Sequence, residues 1–168
     1  QSIVIHPNFQ KTKENIITNQ IDTYNRLVRN INFLKDDETA FKSFKLANTA
    51  MFIQMFVSNE KNFGKKNIEL SELDESINYN NLDYFKNNNS FTPKYRPFQL
   101  AFFLLNLESI INPNTDDKEK IVDLLWFPTG GGKTEAYLAL TAFTIISRRI
   151  LYGENADGVA VIMRYTLR

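Results

Sequence analysis

Phe127-Pro128-Thr129-Gly130-Gly131-Gly132-Lys133-Thr134 brings together the residue types that hold a polyphosphate. Gly130, Gly131 and Gly132 allow backbone conformations closed to other residues, so that successive N–H groups point at one anion, with Thr129 entering the same cradle. A helix starting at Lys133 adds the positive end of its dipole. Lys133 reaches β- and γ-phosphates as a point charge, and the Thr134 hydroxyl is suited to Mg²⁺ bridging those oxygens. The strict form of this loop opens on Gly, where this chain has Phe127. The flanking pattern, a strand-like run before and a helical run after, is the context in which such a loop works. The combination points to a nucleoside triphosphate site with Lys133 and Thr134 as its catalytic residues.

The elements needed to position the loop are readable on either side. Ile121-Val122-Asp123-Leu124-Leu125-Trp126 has the branched and aromatic content of a buried strand, and Val159-Ala160-Val161-Ile162-Met163 that of a second. A long helix from Lys133 to about Tyr152 separates them, followed by a turn over Gly153–Gly158. Strand, loop, helix and strand in that order predict a βαβ unit with parallel strands. Pro97 is well placed to open a further helix running to about Ile111. Earlier in the chain, Ile17, Ile21, Tyr24, Val28, Ile31 and Leu34 step by three or four residues, and Phe41, Phe44, Ala47, Met51, Phe52, Met55 and Phe56 mark a second helix. These two are expected to form a helical hairpin with those faces inward. The Asn- and Lys-rich stretch 58–92 is polar and weakly patterned, and reads as an insertion or linker. The predicted organisation is α/β: a helical appendage over 1–57, the insertion over 58–92, and a P-loop unit over 93–168.

Composition narrows the alternatives. Of 168 residues, 43% are hydrophobic and 23% charged, enough apolar content for a packed core. Twenty Lys and Arg against nineteen Asp and Glu leave +1, so nucleic-acid binding calls for a local patch rather than a global field. With no Cys, disulfides and thiolate metal sites are excluded, and the single His6 argues against a His-ligated metal site or a His-based triad. No apolar run is long enough for a membrane-spanning helix, and residues 1–10 do not read as a signal peptide. A cytoplasmic location without membrane partners is expected. The chain starts on Gln1 and stops at Arg168 just after a strand-like run, which reads as part of a longer polypeptide.

Pro-Thr-Gly-Gly-Gly-Lys-Thr resembles motif I of the superfamily 2 helicases and translocases. Arg96-Pro97-Phe98-Gln99 resembles the glutamine motif that lies upstream of it there. Phe44–Met51, Tyr95–Phe102, Val122–Leu138 and Met163–Arg168 are similar to the DrmA-type helicase subunit of DISARM anti-phage defence systems. The resemblance implies a RecA-like lobe, ATP and Mg²⁺ as cofactors, DNA as substrate and partner subunits of a defence complex. It implies that Gln99 pairs with the adenine N6 and N7, an edge that a glutamine amide fits by donating and accepting at once, and that Arg96 packs on the base or ribose. It also places Arg164, Thr166 and Arg168 at motif Ia, where Arg and hydroxyl donors suit nucleic-acid phosphates.

The acidic pair and arginine finger of such motors would fall beyond Arg168. Asp36-Asp37 and Asp116-Asp117 read as helix-start or turn residues rather than substitutes. This stretch by itself is therefore expected to bind nucleotide without turning it over. Two other readings remain open from sequence: a different P-loop ATPase or nucleotide kinase, and a partner-docking module in which the loop is structural.

Overall fold

The computed structural model describes residues 7–58, 93–112, 114–115, 120–128 and 130–164. The stretch 59–92, the Asp116-Asp117 pair and the Phe56 side chain lie outside the described residues. Among the described residues the helices are α1 (Pro7–Asp36), α2 (Glu38–Val57), α3 (Pro97–Leu105), α4 (Leu107–Ile111) and α5 (Lys133–Tyr152), with a 3₁₀ turn over Gly153–Asn155. Asp37 separates the first two. Its carboxylate accepts the Ala40 N–H at 2.7 Å, capping α2 as the sequence predicts for an acidic residue ahead of a helix. Asn106 breaks the helix expected over 97–111 into α3 and α4, its side-chain amide donating to the Phe102 carbonyl.

The core is helix against helix. Leu34 from α1, Ala40, Ala47 and Met51 from α2, Phe103 and Leu107 from α3 and α4, and Ala139 and Phe143 from α5 form one cluster. Both α2 and α5 bury small residues: Ala40, Ser43 and Ala47 on one helix, Ala136, Ala139 and Ser147 on the other, with Ala40, Ala47 and Ala139 in the shared core cluster. Residues without bulk beyond Cβ let two helices approach closely, and α2 packs more extensively on α5 than on α1. The apolar stripe of α1 is buried only at its C-terminal end. Ile17, Ile21, Tyr24 and Val28 are exposed and Ile31 is partly buried, whereas Leu34 is buried, and so are the polar Arg26 and Asn30. Phe41 is also exposed, with the Lys45 ammonium 4.9 Å above its ring.

The expected α/β fold is overturned. Among the described residues there is no strand and no sheet; the two strand-like runs are extended but carry no ladder. Side chains along the first run still alternate. Val122, Leu124 and Trp126 are 95%, 82% and 86% exposed, while Leu125 is partly buried and Asp123 turns its carboxylate toward α1. A run of branched and aromatic residues records the local preference for extended backbone. A sheet needs in addition a second chain alongside to satisfy N–H and C=O groups, and neither 121–127 nor 159–162 provides that to the other. The packing around the loop is therefore supplied by helices.

Asp123 is held by Arg26 in a two-pronged ion pair, Nη1 and Nη2 donating to the two carboxylate oxygens at 2.7 Å each. The Asn30 side-chain oxygen Oδ1, one helical turn further on, accepts the Glu108 N–H at 2.9 Å, and Arg29 Nε donates to the Glu108 carboxylate at 2.9 Å. The Arg26 pair fastens α1 to the segment that enters the loop, and the Asn30 and Arg29 bonds fasten it to α4. Removing one partner of a desolvated pair strands the other charge. Arg26→Ala is expected to lower the free energy of unfolding by about 2 kcal/mol, discounted from fully buried pairs because Asp123 keeps some solvent access. Urea unfolding measures this, and a loss below about 0.5 kcal/mol would place the pair outside the fold's stabilising contacts.

Candidate nucleotide-binding site

The extended segment ends at Phe127, whose ring stacks on Phe98 of α3 with centroids 3.8 Å apart and planes 18° from parallel. The position that in the strict loop pattern is Gly is thus an aromatic anchor here, fixing the entry to the loop against the first turn of α3. Such a cross-chain stack cannot be read from either Phe alone. The chain then turns tightly, with the Gly131 N–H donating to the Pro128 carbonyl at 3.0 Å. Gly130 and Gly132 take φ of +77° and +89°, in the left-handed region that disfavours a Cβ. Gly132 is the residue that caps the start of α5, which begins at Lys133 as expected.

Lys133 curls back over the loop. Its Nζ donates to the Phe127 carbonyl at 2.6 Å and to the Pro128 carbonyl at 3.0 Å, so the ammonium sits inside the turn. Thr134 is exposed on the first turn of α5. Arg96 and Gln99, at the start of α3, come to the same loop. The Gln99 side-chain oxygen accepts the Arg96 N–H and its Nε2 donates to the Gly132 carbonyl, both at 2.7 Å. The Arg96 guanidinium donates to the Gly131 carbonyl at 3.0 Å. Gln99 is 4% exposed, and its amide lies between α3 and the loop.

Two cavities flank the loop. One of about 760 Å³ joins Gly130, Gly132, Lys133 and Thr134 to Arg164 from the last described segment. Its volume is within the range of small-molecule sites. That segment is kept near α5 by Arg148, which donates to the carbonyls of Asp157 at 3.1 Å and Val159 at 3.3 Å. The other cavity, about 300 Å³, lies between Lys94, Arg96, Gln99 and Glu135. Six of the predicted residues, Arg96, Gln99, Gly130, Gly131, Gly132 and Lys133, are directly linked or adjacent in the loop; Thr134 and Arg164 share its larger cavity. Thr129, Thr166 and Arg168 lie outside the described residues.

Glu135 is a neighbour that motif reading passes over. One of its carboxylate oxygens is buried without a hydrogen-bond partner among the described residues, close to Gly132. The only available signal was its place three residues after the helix cap, where a Glu commonly turns back toward the helix start. Tyr95, beside Arg96, is half-buried, and desolvation pushes its phenol up to about 12, so it stays neutral at the edge of the site.

Among the described residues no helix is long and apolar enough to cross a membrane. No protein-family model matches the chain. It is 40% identical over 166 residues to DISARM protein DrmA of Bacillus paralicheniformis, an alignment covering 95% of this chain and 13% of the relative. The residues described above therefore belong to a chain related to DISARM protein DrmA along nearly its whole length, and similar to a small part of that protein.

Proposed function

We propose that this chain is the ATP-binding part of an ATP-dependent DNA helicase or translocase of superfamily 2, acting with partner subunits in a bacterial anti-phage defence complex. The observation that carries the reading is the Lys133 ammonium seated inside a glycine turn at the start of a twenty-residue helix. A cation that among the described residues is bound by two loop carbonyls beside a helix dipole is poised to exchange those carbonyls for phosphate oxygens. The left-handed Gly130 and Gly132 leave the backbone bare at the place where an anion would approach. The relation to DISARM protein DrmA supports the defence role.

In this reading the phosphates rest on the N–H groups at the start of α5, and Lys133 moves onto the β- and γ-phosphates. Thr134 would hold Mg²⁺, which when bound neutralises charge on the phosphate oxygens. The donor set fits: a hydroxyl and an ammonium next to one another at the mouth of the same cavity. Arg164 lines that cavity too, and with Thr166 and Arg168 it would contact DNA phosphates, placing the nucleic acid beside the nucleotide. A motor on phage DNA works in the cytoplasm.

Calorimetric titration of the chain with Mg·ATP, with and without a single-stranded DNA oligonucleotide, tests the proposal. Saturable binding whose affinity changes with DNA is expected. No saturable heat at millimolar nucleotide would overturn it. Binding that DNA leaves unchanged would reduce the reading to a nucleotide site without a motor.

A further inference from the structure

We propose that Gln99 and Arg96 are positioning residues that aim the loop's N–H groups at the phosphates, with Gln99 acting through the loop rather than by reading the base. The inference rests on the nucleotide reading of the loop. A peptide unit is planar and trans, so the carbonyl of one residue and the N–H of the next point in opposite directions. Arg96 holds the Gly131 carbonyl and Gln99 holds the Gly132 carbonyl, both toward α3. The N–H groups of Gly132 and Lys133 must then point to the other side of the loop. Those two residues line the larger cavity together with Thr134. Without the two tethers each peptide could rotate and present a carbonyl to the phosphate, turning attraction into repulsion.

Three further observations fix this arrangement. The Gln99 oxygen is bound to the Arg96 N–H, so both tethers come from one helical turn and move as one unit. The Phe98–Phe127 stack locks that same turn to the loop's entry. A Cβ on Gly132 would lie 2.6 Å from the Gln99 Nε2, so the amide lies flush against the loop backbone, with no space for a base edge between them. Gln99 engages both ends of its amide inside the protein and is almost fully buried, and it borders the smaller of the two cavities rather than the one lined by Lys133 and Thr134.

The test uses a ligand without a base. Wild-type chain and Gln99→Ala are titrated with Mg·ATP and with inorganic tripolyphosphate, and their unfolding midpoints are measured alongside. The expected result is a loss of about tenfold for both ligands, by the same factor, with the unfolding midpoint little changed. If Gln99→Ala does not fold, Gln99→Met keeps the buried volume, removes both hydrogen bonds and should give the same parallel loss. A loss for ATP with tripolyphosphate unaffected would overturn the inference in favour of a base contact and leave the nucleotide reading standing. Unchanged affinity for both ligands would overturn it as well. Failure of the wild type to bind either ligand would sink the nucleotide reading and this inference with it.

Discussion

Lys133→Ala is expected to weaken Mg·ATP binding by roughly 30- to 150-fold while leaving the unfolding midpoint nearly unchanged. The two effects separate because of where the ammonium sits. Its partners are the Phe127 and Pro128 carbonyls, it keeps solvent access at the first position of α5, and among the described residues it belongs to no ion pair. An exposed cation on neutral carbonyls contributes little to folding, since water replaces those bonds on removal. Against a triphosphate the same group makes charge-assisted bonds to the most negative part of the ligand. Such bonds contribute about 1.5–3 kcal/mol each, and about 2–3 kcal/mol corresponds to the factor stated. Lys133→Arg should recover only part of it, because a planar fork does not fit a turn that encloses a compact ammonium. The measurement is a titration of both variants alongside circular-dichroism melting. Full affinity in Lys133→Ala would mean that the phosphates do not sit on this loop.

The parts of the site that were legible in the sequence are those whose cause is local. Three consecutive glycines, a Lys and a Thr announce a phosphate cradle because each residue's conformational freedom or charge is its own property. The limits of α5 were legible for the same reason: Gly132 and Gly153 bracket a periodic run, and the helix occupies the span between them. What was not legible depends on partners distant in the chain. Asp123, inside a run read as a strand, is the anchor of Arg26, 97 positions away. Arg26 and Asn30, which no local pattern singles out, are buried where Asp123 and the Glu108 backbone come to meet them. The sheet failed on the same ground. Branched residues predict extended backbone, and Ile121–Trp126 is extended, but whether a second chain lies beside it is not a property of those residues. Gln99 shows the intermediate case. Its place at the nucleotide site was implied by the resemblance, whereas the burial that turns its amide inward depends on the packing of α3.

That packing is what Phe103→Ala would remove. Phe103 is fully buried, stacked on Phe44 of α2 at 5.1 Å between ring centroids and edge-on to Phe143 of α5 at 5.8 Å. It is the point at which α2, α3 and α5 converge, so truncation leaves a cavity with rigid aromatic walls on two sides and little scope for collapse. A loss of about 3–5 kcal/mol is expected, a large share of the 5–15 kcal/mol available to a typical domain. Phe103→Leu fills most of the space and should lose well under half as much. The effect should also reach the loop. Phe103 lies one helical turn after Gln99, on the same face of α3, so the core contact and the loop tether are set by the same rigid element. Under conditions where Phe103→Ala is still folded, its tripolyphosphate affinity should therefore fall as well, though no group near the phosphates has changed. Urea unfolding gives the first quantity and a titration well below the midpoint gives the second. A destabilisation under about 1 kcal/mol would show that the aromatic cluster is not the centre of this core. Unchanged affinity in a clearly destabilised variant would show that α3 positions the loop through its first turn alone, by way of the Phe98–Phe127 stack.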